Sequence, residues 1–154
     1  IGAEIMEKML SLDNVSVKAN VPGDPLNVLV DGSPTKRRTT YIPLDFDTGV
    51  DLLKPIKGKK FDGGLSLDLL EHVSQPFIVA NNIVASLKKG ALLFVTVPLH
   101  WEVHPTPMDY FRFTPQGLEE LFKSMEKITI ETIRDPSPEE ELPRTRIVSV
   151  FRKI

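Results

Sequence analysis

The feature that most constrains the fold is the segment Ala91–Val97, which is apolar along nearly its whole length. A strand of this kind suits the centre of a parallel sheet, where helices cover both faces. An amphipathic helix, Pro76–Lys88, precedes it and is predicted to stop at Gly90. Before that helix, Phe61–Leu67 is predicted to form another strand. Together these segments predict a strand–helix–strand unit with parallel strands.

The rest of the chain extends the same pattern. A helix is predicted at Ala3–Leu12, and Thr114 is predicted to cap a helix that runs to about Met125. Further strands are predicted at Val15–Ala19, Asn27–Val30, Tyr41–Phe46, Val50–Leu53, Ile128–Ile133 and Arg146–Arg152. Strands that alternate with helices and end in a closing pair indicate an α/β fold of three layers. We expect one domain over 1–154, with a helix and lead-in at 1–25 and the core at 26–154.

Composition excludes several classes of function. The 154 residues include 19 Lys and Arg against 21 Asp and Glu, a net charge of −2, which is no footprint for nucleic acid or an anionic membrane. There is no cysteine, hence no thiolate metal site and no cysteine nucleophile. No apolar run reaches the ~18 residues of a membrane span. We expect a soluble, cytoplasmic domain, and because the chain begins at Ile1 we expect that the original start was removed.

Five segments, in a fixed order, carry a family resemblance. Phe61-Asp62, Leu69–Val73, Leu87–Gly90 and Ala91–Pro98 together resemble class I S-adenosylmethionine-dependent methyltransferases, in particular the methyltransferase type 11 branch. The later block His104–Thr114 resembles one found in a subset of that branch. The resemblance covers about 90 residues if the preceding strands are included.

The resemblance implies a fold, a cofactor and a reaction. The fold would be a Rossmann-like three-layer α/β/α sandwich, whose mostly parallel sheet contains a late antiparallel strand. The cofactor would be S-adenosyl-L-methionine, bound across the carboxyl ends of the strands. The reaction would be transfer of its methyl group to an unidentified small or medium acceptor molecule.

The resemblance also assigns cofactor-binding residues. Asp45 would accept hydrogen bonds from both ribose hydroxyls, since one carboxylate can accept two donors at once. Gly32 would let the backbone approach the amino acid part of the cofactor. The complete set of expected cofactor-binding residues is Asp31, Gly32, Ser33, Asp45, Phe46, Leu67, Asp68 and His72.

No catalytic base is assigned from the sequence. His72, His104 and Tyr110 are the candidates, and His72 has a side chain that titrates near neutral pH. We expect His104, Asp109, Tyr110 and Arg112 to join a polar network in a loop over the substrate pocket. The alternative is a structural loop whose aromatic side chains fill the edge of the core.

No metal site is predicted. His100 and His104 are four residues apart, a spacing that could hold a metal ion on one face of a helix. The surrounding Pro98, Pro105 and Pro107 argue against a helix there, and the sequence places no third ligand beside the pair.

The sequence also departs from the family pattern, which keeps a second function open. The loop after Asn27–Val30 retains one glycine and has Pro34 at another position, and Lys54–Gly58 replaces an acidic and apolar segment. These changes favour the alternative of a catalytically inactive methyltransferase-like module that binds or supports a partner. A nicotinamide dehydrogenase is disfavoured, because no G-x-G-x-x-G opens a helix after the first strand.

Overall fold

The computed structural model describes residues 14–17, 40–43, 50–58, 60–134 and 143–154. Two helices, α1 at Pro76–Ser86 and α2 at Pro115–Leu121, and a 3-10 turn at Leu70–His72 lie in this part of the chain. The six strands are β1 (Asn14–Val17), β2 (Thr40–Pro43), β3 (Phe61–Leu67), β4 (Leu87–His100), β5 (Met125–Arg134) and β6 (Thr145–Lys153).

The six strands form one mixed sheet in the order β2-β1-β3-β4-β6-β5. Strands β1 to β4 run parallel to one another, whereas β6 lies antiparallel between β4 and β5. The carboxyl ends of β3 and β4 and the start of β6 therefore meet at one side of the sheet, which we call the carboxyl edge. This topology confirms the predicted α/β fold with a late antiparallel strand.

The core lies between the sheet and the two helices. Strand β4 is buried from Leu93 to Val97 apart from small exposed fractions, as its apolar sequence predicts. Phe122 and Phe151 are fully buried with their ring centroids 4.9 Å apart, so the end of α2 is packed against β6. Helices α1 and α2 contact each other and hence cover the same face of the sheet. Within the described residues, neither helix is long and apolar enough to cross a membrane.

Two predicted boundaries between α1 and β4 are wrong. The helix ends at Ser86 rather than Lys88, and Lys88 to Gly90 belong to β4 instead of a helix terminus. Leu87 pairs with Phe61 of β3, so sheet pairing begins immediately after the helix. Gly90 has φ +80, and it lies where the register between β3 and β4 shifts. The glycine therefore serves a strand irregularity and not a helix cap.

The minor strand predicted at Val50–Leu53 is also wrong. These residues form a turn in which the Leu53 amide donates to Asp51 Oδ1 at 3.0 Å and the Lys54 amide donates to the Asp51 carbonyl at 3.0 Å. Leu52 is buried in the core, which explains the apolar signal without a strand. The helix predicted at Ala3–Leu12 lies outside the described residues, as does the strand predicted at Asn27–Val30.

Thr114 caps α2 as the sequence predicts. Its hydroxyl oxygen accepts a hydrogen bond from the Gly117 amide at 3.1 Å, and Pro115 occupies the first helical position. We expect Thr114→Ala to lower the free energy of unfolding by about 1 kcal/mol, because the amide loses its acceptor. Urea denaturation of both proteins measures this difference. Thr114→Ser keeps the hydroxyl and should stay close to the unsubstituted chain; an equal loss in both variants would contradict the capping role.

Candidate functional site

The residue that follows β3 is held in an unusual conformation at the carboxyl edge. Asp68 has φ +44, in the left-handed region that few residues other than glycine adopt. Its amide donates to the Thr96 carbonyl at 3.0 Å, and its Oδ1 accepts from the Thr96 hydroxyl at 3.0 Å. Arg146 Nη2 lies 3.0 Å from Asp68 Oδ2. Neighbouring strands thus fix a strained backbone at the position predicted to line the cofactor.

A buried carboxyl group follows in the 3-10 turn. The Glu71 side chain is 3% exposed, and its Oε2 has no hydrogen-bond partner among the described residues. The pKa of Glu71 is raised to about 8, chiefly by burial and to a smaller extent by the nearby carboxylates of Asp68 and Asp109, while a backbone hydrogen bond and the charge of Arg112 oppose the rise. This buried carboxyl group thus lies in the turn that directly follows β3.

The segment Trp101–Phe113, which we call the aromatic loop, docks onto this turn. The amides of Tyr110 and Phe111 donate to the Glu71 carbonyl at 2.7 and 3.3 Å. His72 Nδ1 lies 2.9 Å from the Met108 carbonyl oxygen. Because a carbonyl only accepts, this contact places the proton of a neutral His72 on Nδ1 and the lone pair on Nε2.

A charged pair fixes the aromatic loop internally. The Asp109 side chain is 1% exposed, and Arg112 donates to both of its oxygens, from Nη2 to Oδ2 at 2.6 Å and from Nη1 to Oδ1. The His104 amide donates to Asp109 Oδ2 at 3.3 Å. Hydrogen bonding by Arg112 lowers the pKa of Asp109 below its ordinary value, and the same bond raises the pKa of Arg112. Arg112 Nη2 also donates to the Glu102 carbonyl at 3.0 Å.

Three side chains of this region meet around one point. The ring centroids of His72 and His104 are 5.1 Å apart, and His104 Nε2 lies 3.9 Å from Asp109 Oδ2. Potential metal-ligating atoms of His72, His104 and Asp109 all lie within 4.8 Å of one another. The cluster is partly buried and lies beside Glu71, since His72 Nε2 is 3.6 Å from Glu71 Oε1.

Trp101 has a packing role at the carboxyl edge. The guanidinium carbons of Arg144 and Arg146 lie 4.8 and 5.3 Å from its ring centroid, within cation–π range. Through Arg146, the indole also supports the residue that anchors Asp68. The structure therefore accounts for Trp101 by its contacts with these two arginines.

The structure brings part of the predicted site together. Leu67, Asp68 and His72 lie at the carboxyl edge, and His104 joins them through its contact with His72. Tyr110 contributes its backbone amide, while its ring is half-exposed. The predicted network of His104, Asp109 and Arg112 is present, although Tyr110 enters it only through the backbone. Five expected cofactor residues lie outside the described part of the chain and stay predictions: Asp31, Gly32, Ser33, Asp45 and Phe46.

The topology bears on the predicted glycine loop. Strand β3 lies between β4 and β1, and β1 is Asn14–Val17, so residues 18–39, which lie outside the described part of the chain, follow the carboxyl end of β1 in the sequence. Asp31–Ser33 lie within this 18–39 connection between β1 and β2. Two residues that hold Asp68, Thr96 and Arg146, were not predicted from the sequence. A signal for Thr96 was present, because it is the single polar residue within Ala91–Val97.

Comparisons with solved structures identify the fold. The chain is 17% identical to 1,6-didemethyltoxoflavin-N1-methyltransferase from Burkholderia thailandensis, solved with bound S-adenosylhomocysteine, with a TM-score of 0.65 over 99% of this chain and 76% of that one. A putative methyltransferase from Bacillus halodurans C-125 is 11% identical, with a TM-score of 0.63 over 99% of this chain and 98% of that one. The [4+2]-cyclase SpnF is 15% identical, with a TM-score of 0.63 over 97% of this chain and 79% of that one.

Because these solved structures are only 11–17% identical to the chain, the similarity establishes the fold alone. No protein-family model matches the chain, and no curated protein matches it in sequence. The chain has the fold of class I S-adenosylmethionine-dependent methyltransferases, as the sequence resemblance implies. The type 11 branch stays a prediction.

Proposed function

We propose that the protein binds S-adenosyl-L-methionine at the carboxyl edge and transfers its methyl group to a small or medium acceptor molecule. One observation carries this proposal: neighbouring strands hold Asp68 in a strained conformation at the end of β3. Strain that is fixed by surrounding contacts is concentrated at functional sites. Open α/β sheets bind their ligands in the crevice at this same edge.

The chemistry of the edge suits the cofactor. S-adenosylmethionine carries a positively charged sulfonium and an ammonium group, which favour a carboxylate as a neighbour. A carboxylate has about four acceptor positions, and the contacts of Asp68 with Thr96 and Arg146 use two of them. Leu67, which is partly buried, supplies an apolar wall beside this acid.

The chain's own contribution to catalysis would be mostly positioning. When bound, S-adenosylmethionine supplies an electrophilic methyl group and leaves as S-adenosylhomocysteine. Asp68 would orient the cofactor, and the aromatic loop would hold the acceptor on the opposite side and exclude water. The hydrogen bonds from this loop to the Glu71 carbonyl tie the acceptor side to the cofactor side.

Cofactor binding tests the proposal directly. We expect calorimetric titration with S-adenosylhomocysteine to show micromolar affinity, about −8 kcal/mol. Asp68→Asn tolerates the left-handed backbone and keeps the size of the side chain, but it removes the negative charge. We expect this substitution to weaken binding at least about tenfold, because charge-assisted hydrogen bonds are lost.

The same strand provides the control. Asp62 lies near the amino end of β3, where it forms an exposed pair with Lys88 at 2.6 Å, so Asp62→Asn should leave cofactor affinity unchanged. From the sequence, Asp45→Ala should abolish micromolar binding, whereas Asp47→Ala, two residues later, should not. A folded chain that binds neither S-adenosylmethionine nor S-adenosylhomocysteine at millimolar concentration would overturn the proposal.

A second candidate is a catalytically inactive module with the same fold. Lys54 occupies the segment where the family pattern has an acidic residue, and in the structure it is ion-paired with Asp51 at 3.1 Å in an exposed turn. The fold alone does not require methyl transfer, since SpnF has it and is a [4+2]-cyclase. Absence of cofactor binding would favour this module, and binding without turnover across an acceptor screen would favour it as well.

A further inference from the structure

The cluster of His72, His104 and Asp109 combines ligands from two separate parts of the chain. His72 belongs to the 3-10 turn after β3, whereas the other two belong to the aromatic loop after β4. Their potential ligating atoms lie within 4.8 Å of one another. Ligands bound at 2.0–2.2 Å around one tetrahedral metal ion are about 3.4 Å apart, so closure by at most about 1.4 Å would complete the geometry.

The orientation of His72 suits a metal ligand. Its Nδ1 donates to the Met108 carbonyl at 2.9 Å, which leaves Nε2 as the basic nitrogen. A second hydrogen bond of this kind is the usual partner of a histidine that binds metal, because it fixes the tautomer and the ring orientation. Met108 precedes Asp109 directly, so one short segment supplies both a ligand and the support for another.

Glu71 provides an independent observation that points to a cation. Its buried side chain has Oε1 at 3.6 Å from His72 Nε2, while Oε2 has no hydrogen-bond partner among the described residues. An oxygen buried without a partner is costly, and a bound cation would supply the interaction that it lacks. The carboxyl group therefore lies beside Nε2, the nitrogen that carries the lone pair when the Nδ1 of neutral His72 donates to Met108.

Asp109 retains capacity for a cation despite its pairing with Arg112. Its Oδ2 accepts from Arg112 and from the His104 amide, whereas its Oδ1 accepts from Arg112. Carboxylates that bind metal ions are commonly hydrogen-bonded in this way by surrounding groups. The positive charge of Arg112 reduces the attraction for a cation, so we expect micromolar rather than tighter affinity.

We propose that His72, His104 and Asp109, with Glu71 beside them, form a binding site for one divalent transition-metal ion of the Zn²⁺ or Co²⁺ type. Two imidazoles and one carboxylate, with a second carboxyl group nearby, are a donor set that such ions accept. No metal was predicted from the sequence, because the surrounding prolines argue against a helix that would present His100 and His104 on one face, and no third ligand is placed beside the pair. In the structure the histidine that lies beside His104 is His72, 32 positions earlier in the sequence, and not His100.

The test uses the full chain without an affinity tag, stripped with a chelator and then dialysed free of it. Titration with CoCl₂ should produce visible d–d absorption that saturates at one equivalent, and ZnCl₂ should displace the signal. His104→Ala removes a partly exposed ligand and should weaken Co²⁺ binding at least about tenfold. Circular dichroism and a thermal scan establish that the variant is folded.

His100→Ala is the matched control, because it removes the same side chain at the exposed end of β4 and should leave Co²⁺ binding unchanged. Equal weakening in both histidine variants would overturn the proposed ligand set. Absence of saturable binding at millimolar Co²⁺ in the folded chain would overturn the site itself. S-adenosylhomocysteine titration of the same metal-free protein reports separately on the cofactor site, so failure of one proposal is distinguishable from failure of the other.

Discussion

Replacing Arg112 by alanine should lower the free energy of unfolding by about 3–5 kcal/mol. Arg112 donates to both oxygens of Asp109, whose side chain is 1% exposed. Without the guanidinium, the buried carboxylate keeps, among the described residues, only weak contacts with His104, whose amide donates to Oδ2 at 3.3 Å and whose Nε2 lies 3.9 Å from it. Chemical denaturation at pH 7 measures the loss, and we also expect faster proteolysis within the aromatic loop that Arg112 ties to the Glu102 carbonyl.

The chain offers a pair of controls for this result. Arg152 bonds Glu126 at 3.0 Å with both side chains about half exposed, at 48% and 51%, so Arg152→Ala should cost no more than about 1 kcal/mol. Asp109→Asn combined with Arg112→Ala removes the buried charge and should recover part of the stability lost in Arg112→Ala alone. If Arg112→Ala costs no more than Arg152→Ala, water must replace the guanidinium, and the pair is not the main support of the loop.

Local sequence signals predicted the fold wherever local preference and sheet pairing agree. Phe61–Leu67 and the start of α2 at Pro115 are found at the predicted positions. Local preference and sheet pairing disagree at Lys88–Gly90. Positive charge and glycine favour a helix end there, but the pairing of Leu87 with Phe61 places the segment in β4. Leu52 shows the converse error, because a single buried side chain in a turn resembled part of a strand.

The candidate site was less predictable, because it depends on contacts between distant segments. His72 and His104 meet where the aromatic loop docks on the 3-10 turn, through contacts such as the hydrogen bond from the Tyr110 amide to the Glu71 carbonyl, and the positions of the two histidines in the sequence do not encode that docking. Arg146 reaches Asp68 from β6, which joins the sheet beside β4 in antiparallel orientation. Composition and spacing indicated a polar network in the loop, but not which residues of the 3-10 turn it would cover.

Glu71→Gln should make the protein less sensitive to pH, and this is the other large effect that we expect. The pKa of Glu71 is raised from 4.5 to about 8, chiefly by burial. Between these two pH values the unfolded chain releases a proton that the folded chain retains, so stability falls as pH rises. The contribution is fully present below pH 4.5 and is lost by about pH 8, a change on the order of 4 to 5 kcal/mol.

Glutamine has nearly the same shape as glutamic acid but does not ionise, so it removes this contribution to the pH dependence. The stability of Glu71→Gln relative to the unsubstituted chain should therefore rise by about 1.4 kcal/mol per pH unit in the middle of this range. Urea denaturation at several pH values, in a chelating buffer, measures how the difference in free energy of unfolding between the two proteins changes with pH. Any pH-independent loss of stability caused by the new amide shifts this difference equally at every pH and leaves its slope unchanged. Glu131→Gln, at an exposed position of β5, should follow the unsubstituted chain. Parallel curves for Glu71→Gln and the unsubstituted chain would mean that Glu71 is ionised in the folded protein, with a partner that stabilises the charge.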